Sequence, residues 1–226
     1  METILKILSP ENIRFMLGGA GYSILIAVVA LAGGSILGLL SAAAKMSRFK
    51  VLRLIANVYV EVFRGTPMLL QILAVYLCGP ILTKMLFNFV FTPNVYVVGM
   101  IAIGINAGAY ETELFRSAIQ SIDKGQWEAA TMIGLSYKQT MFHVILPQAF
   151  KRVLPPFINE FIVLIKVSSL LSSIGAVELL HSAEILISRY YNYFIPLGFA
   201  AVTYLVITLT LAAFARRLER RLAESD

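Results

Sequence analysis

Long apolar stretches dominate this chain and limit the folds that are open to it. Five of them, each about twenty residues long or slightly longer, cover residues 22–44, 54–77, 95–119, 153–174 and 194–213. Hydrophobic residues make up 58% of the chain, well above the roughly 45–50% expected of soluble domains. Lipid offers no partner to unpaired backbone groups, so continuous apolar stretches of this length indicate helices. We predict an all-α, polytopic membrane bundle of about five transmembrane helices that forms one domain over residues 1–226.

The basic residues predict how this bundle is inserted, because cytoplasmic loops carry an excess of lysine and arginine. If the N-terminus is outside, thirteen of the 19 basic residues lie on the inner side: Lys45, Arg48, Lys50, Arg53, Arg116, Lys124, Lys138, Lys151, Arg152, Arg216, Arg217, Arg220 and Arg221. Four lie on the outer side: Lys6, Arg14, Lys84 and Arg189. The predicted orientation is N-out and C-in, with an amphipathic lead-in over residues 1–19 and a cytoplasmic tail over residues 214–226.

Composition disfavours several function classes. The net charge of +6 is distributed between the apolar stretches and is not interleaved with exposed aromatic residues, so nucleic-acid binding is not expected. Cys78 is the only cysteine, and no spacing of cysteine and histidine is typical of a metal site. No Gly-x-x-x-x-Gly-Lys-Ser/Thr phosphate loop occurs, so the chain should not bind ATP by that device. We expect no metal and no cofactor in this chain.

A polar stretch over residues 117–150 separates the third and fourth spans and is far longer than usual helix connections. Asp123 can begin a short helix, Gly134 can end it and Pro147 marks a further break, which predicts two short surface helices. The run Glu128-Ala129-Ala130, followed at family-like spacing by Gly134 and then by Val144-Ile145-Leu146-Pro147, resembles the EAA loop of bacterial ABC importer permeases.

This resemblance implies a coupling role and a set of partners. In that family the loop forms a coupling helix that seats in a groove of a cytoplasmic ATPase. The expected apolar docking face consists of Trp127, Ala129, Ala130 and Leu135. The other expected coupling residues are Glu128, Gly134 and Pro147. The implied partners are two copies of an ATPase subunit that binds ATP and magnesium, a second permease chain with a homodimer favoured, and an extracytoplasmic substrate-binding protein.

Three further motifs resemble the polar amino acid subfamily of these permeases. They are Glu61-Val62-Phe63-Arg64-Gly65-Thr66-Pro67, then Tyr110-Glu111-Thr112-Glu113-Leu114-Phe115-Arg116, and finally Asn159-Glu160-Phe161 with Lys166-Val167-Ser168-Ser169-Leu170. The resemblance covers about residues 20–215. It implies that the chain forms the path of an amino acid substrate in an ATP-driven importer that works by alternating access.

Charged residues inside the second span are candidate substrate ligands, because ionisable side chains are costly in lipid and generally face a cavity. Glu61 and Arg64 share a helical face. Gly65 and Pro67 can break the helix just beyond them, which leaves the carbonyl of Phe63 without its usual amide donor. Broken spans often form substrate sites in transporters. The alternative is a structural kink closed by a Glu61–Arg64 ion pair.

Spans three and four supply the other candidates, which are Asn106, Glu111, Asn159, Glu160, Lys166 and Ser168. Glu113 is turned by about 200° from Glu111 and can form a structural pair with Arg116. Glu111 is the candidate for substrate selectivity. Glu111 or Glu160 can bind the ammonium of an amino acid, while Lys166 with Ser168 can bind its carboxylate. Lys166 can instead pair only with Glu160 or Glu61 between helices.

The charges in the spans give a hypothesis about the substrate. Glu61, Glu111, Glu113 and Glu160 outnumber Arg64, Arg116 and Lys166 by one, which favours a cationic amino acid such as arginine, lysine or histidine. Two other function classes stay open. A secondary transporter or channel would need no ATPase, and a membrane enzyme or sensor would need a catalytic or metal-ligand cluster that the spans do not contain.

Overall fold

The structure, a computed structural model, describes residues 2–92 and 94–223, and these residues form helices joined by short connections. In chain order the helices are α1 (Glu2–Ile7), α2 (Pro10–Lys45), α3 (Lys50–Gly65), α4 (Met68–Phe87), α5 (Val95–Gln120), α6 (Lys124–Met132), α7 (Tyr137–Ile174), α8 (Leu179–Tyr190) and α9 (Phe194–Ala223). No strand occurs among the described residues. Five helices, namely α2, α4, α5, α7 and α9, are long and apolar enough to cross a membrane. The predicted all-α bundle and its number of spans are confirmed.

The first span is longer than the sequence predicted. α2 contains 36 residues because Ser9 caps its first turn and Pro10 supplies the fixed backbone angle favoured at a first helical position. The stretch 1–19 is therefore not a separate lead-in, since most of it belongs to α2 and the short α1 precedes it. Gly19 lies within α2 and packs closely against Ser182 of α8.

The centre of the bundle is the crossing of α2 and α5, where small residues let the two backbones approach closely. A β-carbon added to Gly34 would lie 3.0 Å from Cβ of Ala107 and 3.0 Å from the amide nitrogen of Gly108, and one added to Gly38 would lie 2.9 Å from Cβ of Glu111. Gly34 and Gly38 therefore allow the close approach of the two helices at this crossing. At three other glycines of α2 an added β-carbon meets nothing within 4 Å: Gly18, Gly21 and Gly33.

The second span is divided as the sequence predicted, but its bounds differ. α3 ends at Gly65, Thr66 and Pro67 adopt extended backbone angles, and α4 begins at Met68. The stretch long and apolar enough to cross a membrane is Met68–Phe87, which begins within the predicted span over residues 54–77 and extends beyond its end. Only 6% of the apolar window of α4 is buried, so α4 lies at the periphery of the chain.

α7 joins the predicted loop to the fourth span without a break. It contains 38 residues and begins at Tyr137, well before the predicted start at residue 153. The break predicted at Pro147 is wrong, because this proline lies at the start of an α-helical segment that directly follows the π-helical turn Met141–Ile145. The polar stretch therefore contains one separate short helix, α6. At its far end α7 tightens into a 3-10 turn and stops at Gly175, which has a φ of 80°.

The C-terminal part contains one helix that the sequence analysis missed. α8 (Leu179–Tyr190) lies in a stretch that is too short and too polar to be a span, so apolar length predicts only an outer loop there. α9 continues into the predicted tail and remains helical to Ala223. Residues 224–226 of that predicted tail lie outside the described residues.

Candidate functional site

The break between α3 and α4 is stabilised by two side-chain amides, one on α4 and one on α5. The carbonyl of Phe63, which Pro67 deprives of its usual amide donor, accepts from Nε2 of Gln71 at 2.9 Å and from Nδ2 of Asn106 at 2.8 Å. Nε2 of Gln71 also lies 2.8 Å from Oγ1 of Thr66, and Nδ2 of Asn106 donates to Oε1 of Gln71 at 3.0 Å. The orphan carbonyl is thereby satisfied by two protein donors.

Arg64 and Glu61 do not form the ion pair that the sequence analysis considered. Both side chains are exposed, and the guanidinium carbon of Arg64 lies 5.1 Å from the ring centroid of Tyr110 on α5. This is the geometry of a cation–π contact. No carboxylate pairs with Arg64 in the described part of the chain. Its guanidinium donors are therefore available to a ligand.

Glu111 is enclosed at the crossing of α2 and α5. It is 0% exposed, and neither carboxylate oxygen has a hydrogen-bond partner. Gly34 and Gly38 make room for it, since a β-carbon added to Gly34 would lie 3.0 Å from Oε1 of Glu111. A substrate can reach this carboxylate only if α2 and α5 separate, so its predicted role in selectivity stays a prediction.

The candidates on α7 are placed in two different environments. Asn159 and Lys166 are exposed, and Glu160 is half-buried and near enough to Glu111 for their charges to interact. Ser168 is 0% exposed, and its hydroxyl donates to the carbonyl of Ile165 at 2.8 Å. The predicted pairing of Lys166 with Ser168 around a substrate carboxylate stays a prediction, since the Ser168 hydroxyl is enclosed and bonded within α7 in this structure. No ion pair joins Lys166 to Glu160 or Glu61, all of which are described.

A cluster of three charges joins α2 to α5. Nη2 of Arg116 lies 2.8 Å from Oε2 of Glu113, which confirms the predicted structural pair. Nζ of Lys45 lies 2.5 Å from the other oxygen of the same carboxylate. Glu113 is thus fully engaged by two cations and does not contribute to a substrate site.

The start and end of α6 follow from local sequence. Oδ1 of Asp123 accepts from the amide of Gly125 at 2.6 Å and caps the first turn. Gly134 has a φ of 84°, a backbone conformation that favours glycine, and beyond it the amide of Leu135 donates to the carbonyl of Ala130 at 3.0 Å. The predicted helix and its glycine turn are confirmed.

The exposed face of α6 differs from the docking face that the sequence predicted. Trp127 is half-buried and stacks on Tyr137, with ring centroids 5.7 Å apart, and Ala130 is 4% exposed. These side chains pack against the chain itself, and Leu135 is also half-buried. The apolar residues that α6 and its turn present outward are Ala129, Met132 and Ile133, of which Met132 is 89% and Ile133 77% exposed. Glu128 is exposed as well.

Comparison with known proteins decides the family. The sequence profile described as binding-protein-dependent transport system inner membrane component matches residues 34–224. The chain belongs to this family. This permease is accordingly a multi-pass protein of the bacterial plasma membrane, and ATP hydrolysis in such systems belongs to a separate ATPase subunit.

Several relatives of the permease have curated descriptions. The putative glutamine transport system permease protein GlnP of Rickettsia felis is 34% identical over 211 residues, which cover 93% of this chain and 94% of GlnP. The arginine transport system permease protein ArtQ of Bacillus subtilis is 36% identical over 95% of both chains. The L-cystine transport system permease protein TcyB of the same organism is 38% identical over 91% of this chain and 85% of TcyB.

Solved structures agree with this family. A chain from the crystal structure of an amino acid ABC transporter with histidines is 38% identical and superimposes with a TM-score of 0.85, covering 92% of this permease and 94% of that chain. A chain of the inward-facing MetNI methionine ABC transporter is 16% identical with a TM-score of 0.78 over 95% and 99% of the two chains, and shares the fold.

The sequence analysis missed a buried carboxylate in the connection between α7 and α8. Glu178 is 0% exposed and caps α8, accepting from the amides of Leu180 at 2.9 Å and His181 at 2.8 Å. It also accepts from the hydroxyl of Tyr204 on α9 at 2.9 Å and from that of Ser23 on α2 at 3.3 Å. Burial raises the pKa of the Glu178 carboxyl, although these donors act in the opposite direction. An acidic residue preceding an apolar stretch was the available signal.

An apolar groove of the permease lies between α2, α5 and α7 on the side of α6. It encloses about 650 Å³ and adjoins a second space of about 300 Å³, with Leu39, Phe115 and Leu146 lining both. Ser35 is its one lining residue with a polar side chain, and that hydroxyl donates to the carbonyl of Leu31 at 2.7 Å. A polar substrate would lose its hydration in this groove without gaining hydrogen bonds, so the groove is not a suitable substrate site.

Proposed function

We propose that this permease forms the path of a polar amino acid in an ATP-driven importer, and that the break between α3 and α4 is part of that path. The single observation that carries the proposal is the exposed guanidinium of Arg64 at this break, which stacks on Tyr110 and has no carboxylate partner among the described residues. Guanidinium groups bind carboxylates in bidentate geometry, and every amino acid carries one. The descriptions of GlnP, ArtQ and TcyB, which name glutamine, arginine and cystine, support an amino acid substrate.

The proposed ligands separate by charge. Arg64 and Lys166 supply donors for the substrate carboxylate, while Glu61, Asn159 and Glu160 supply acceptors for its ammonium or for a cationic side chain. Glu111 joins the acceptors when α2 and α5 separate. We assign no direct contact to Ser168, whose hydroxyl is already bonded within α7.

A cationic amino acid is the proposed substrate class. Once the engaged cluster of Lys45, Glu113 and Arg116 is set aside, the remaining carboxylates Glu61, Glu111 and Glu160 still outnumber the remaining cations Arg64 and Lys166 by one. An uncompensated carboxylate in a membrane interior favours a ligand that brings a positive charge.

The experiment for this proposal is ATPase stimulation in the complete complex. The permease, its ATPase and its binding protein are reconstituted in proteoliposomes, and ATP hydrolysis is measured with arginine, lysine, histidine, glutamine and glutamate. The cationic amino acids are expected to stimulate ATP hydrolysis most strongly. Glu111→Gln and Glu160→Gln should reduce that preference. Stimulation by glutamine or glutamate but not by arginine would refute the cationic class, and uptake that persists without the ATPase would refute the importer itself.

We further propose that α6 is the coupling helix and inserts Ala129, Met132 and Ile133 into a groove of the ATPase. An apolar face of a short helix that the chain itself leaves uncovered suits this helix-in-groove contact. The proposed assembly contains two such permease chains, favoured as a homodimer, two ATPase copies that bind ATP and magnesium, and an extracytoplasmic binding protein. No cofactor is assigned to this chain.

The proposed orientation is N-out and C-in, which places α6 on the cytoplasmic side. Single cysteines can test it in a variant from which Cys78 has been removed. A cysteine at Gly125 should react with a membrane-impermeant maleimide only after the cells are opened, whereas one at Tyr191 should react in intact spheroplasts. The reverse pattern would contradict the orientation. Co-purification of the tagged permease with the products of neighbouring genes would give the stoichiometry of the permease chains.

A further inference from the structure

Two residues of α5, one helical turn apart, contact the last turn of α3. Asn106 donates to the carbonyl of Phe63 at 2.8 Å, and the ring of Tyr110 lies 5.1 Å from the guanidinium carbon of Arg64. Residues four apart lie on one face of a helix. The same face of α5 therefore contacts both the backbone carbonyl of Phe63, the residue before Arg64, and the Arg64 side chain.

Gln71 completes this arrangement from α4. Its Nε2 donates to the carbonyl of Phe63 at 2.9 Å, and its Oε1 accepts from Asn106 at 3.0 Å. Gln71 is 8% exposed, and a buried amide that loses its partners carries the full cost of desolvation. The side chains of Gln71 and Asn106 thus tie α3, α4 and α5 together at the break, because both donate to the carbonyl of Phe63.

We infer that Asn106 and Gln71 are positioning residues for substrate recognition. By fixing the carbonyl of Phe63, they set the direction in which the next residue, Arg64, leaves the broken helix end. A guanidinium held in place loses less conformational freedom when it binds a carboxylate than one that moves with a frayed helix end. This inference rests on the proposed role of Arg64 as a ligand of the substrate carboxylate.

A positioning role and a purely structural role predict different effects on the binding of an amino acid and of its carboxamide. A residue that acts through Arg64 affects recognition of the carboxylate and leaves recognition of the side chain unchanged. A residue that only supports the fold weakens the binding of all ligands to a similar extent. The ratio of the dissociation constants of an amino acid carboxamide and its parent amino acid therefore separates the two roles.

The test uses the permease assembled with its ATPase in lipid nanodiscs, without the binding protein, so that only this chain contacts the ligand. Binding of radiolabelled arginine and of glutamine is measured, each in competition with its own α-carboxamide. The variants are Arg64→Ala, Asn106→Leu and Gln71→Met, the last two being apolar replacements of similar size. Gln120→Leu is the matched control, since this exposed amide bonds only Arg116 at the other end of α5.

In the wild type the parent amino acid should bind more tightly than its carboxamide. Arg64→Ala should reduce this ratio by about tenfold, the factor that corresponds to the loss of one charge-assisted hydrogen bond. Asn106→Leu and Gln71→Met should each reduce the ratio several-fold in the same direction, and Gln120→Leu should not change it. In an Arg64→Ala background, Asn106→Leu should cause no further change in the ratio, because its effect passes through Arg64.

The outcomes separate this inference from the proposed function. If Arg64→Ala lowers the ratio while Asn106→Leu and Gln71→Met weaken acid and amide equally, the amides are only structural, the inference is overturned, and Arg64 keeps its proposed role. If Arg64→Ala itself leaves the ratio unchanged, Arg64 does not bind the carboxylate and both proposals fail. Should Asn106→Leu prevent assembly, Gln71→Met measures the same carbonyl contact from the side of α4.

Discussion

Nζ of Lys45 at the end of α2 lies 2.5 Å from Oε1 of Glu113 on α5, and the two side chains are 16% and 21% exposed. The carboxylate is shared with Arg116, so removal of Glu113 would leave two neighbouring cations without a partner. We expect Glu113→Ala to destabilise the permease by about 1–3 kcal/mol, less than the loss of a fully buried pair because these groups are partly hydrated.

Thermal unfolding in detergent micelles measures this effect. Lys45→Met should cost less than Glu113→Ala, since Arg116 continues to pair with the carboxylate. Glu219→Gln, which changes an exposed carboxylate on α9, is the control and should be neutral. Equal melting temperatures for Glu113→Ala and the control would show that the cluster does not stabilise the fold.

The crossing of α2 and α5 should not tolerate larger residues at Gly34. A β-carbon there would lie 3.0 Å from Cβ of Ala107 and 3.0 Å from the amide nitrogen of Gly108, which is closer than van der Waals contact. We expect Gly34→Leu to cost about 1–3 kcal/mol or more and to lower the yield of monodisperse protein. Gly33→Ala is the matched control on the adjacent residue, where an added β-carbon meets nothing within 4 Å. It should be neutral or stabilising, and a similar loss at both positions would contradict the close packing.

The exposed face of α6 should be needed for coupling and not for folding. Met132→Asp and Ile133→Asp are expected to lower substrate uptake by at least about tenfold, because apolar anchors dominate such interfaces. Their melting temperatures should not change, since both side chains are exposed. Thr131→Ala lies on another side of the same helix and should transport normally. Glu128→Arg and Gly134→Trp should also uncouple ATP hydrolysis from uptake, and normal transport in all four variants would remove the coupling role of α6.

Glu178 should stabilise the contact of α8 with α2 and α9, because its carboxylate accepts hydrogen bonds from all three helices. Glu178→Ala leaves the amides of Leu180 and His181 and two hydroxyls without their acceptor, so we expect a loss of about 2–3 kcal/mol in the free energy of unfolding.

Because burial raises the pKa of the Glu178 carboxyl in the folded state, its ionisation opposes folding, and the stability of the wild type should fall as pH rises through that pKa. Glu178→Gln should lose this part of the pH dependence, which thermal unfolding between pH 4 and pH 8 would reveal. A wild type whose stability increased over that transition would contradict the direction of the shift.

Features that depend on neighbouring residues were predictable from sequence. The Gly65–Pro67 break, the Asp123 cap, the turn at Gly134 and the pairing of Glu113 with Arg116 each involve residues within a few positions of one another. Local backbone preferences and helical spacing were enough for them. Pro147 was the exception, because a proline can begin a helical segment as well as interrupt one.

Apolar length alone determined that this chain is a bundle of membrane-spanning helices, since lipid leaves few other folds for such stretches. Which side chains meet at the break, at the α2–α5 crossing and at Glu178 was decided only by tertiary structure. One of the two donors to the Phe63 carbonyl is Asn106, from another helix, and Glu111 is enclosed because glycines of α2 pack against it. Such contacts join residues far apart in the chain, and they depend on how closely whole helices approach, which hydrophobic patterning along one helix does not specify.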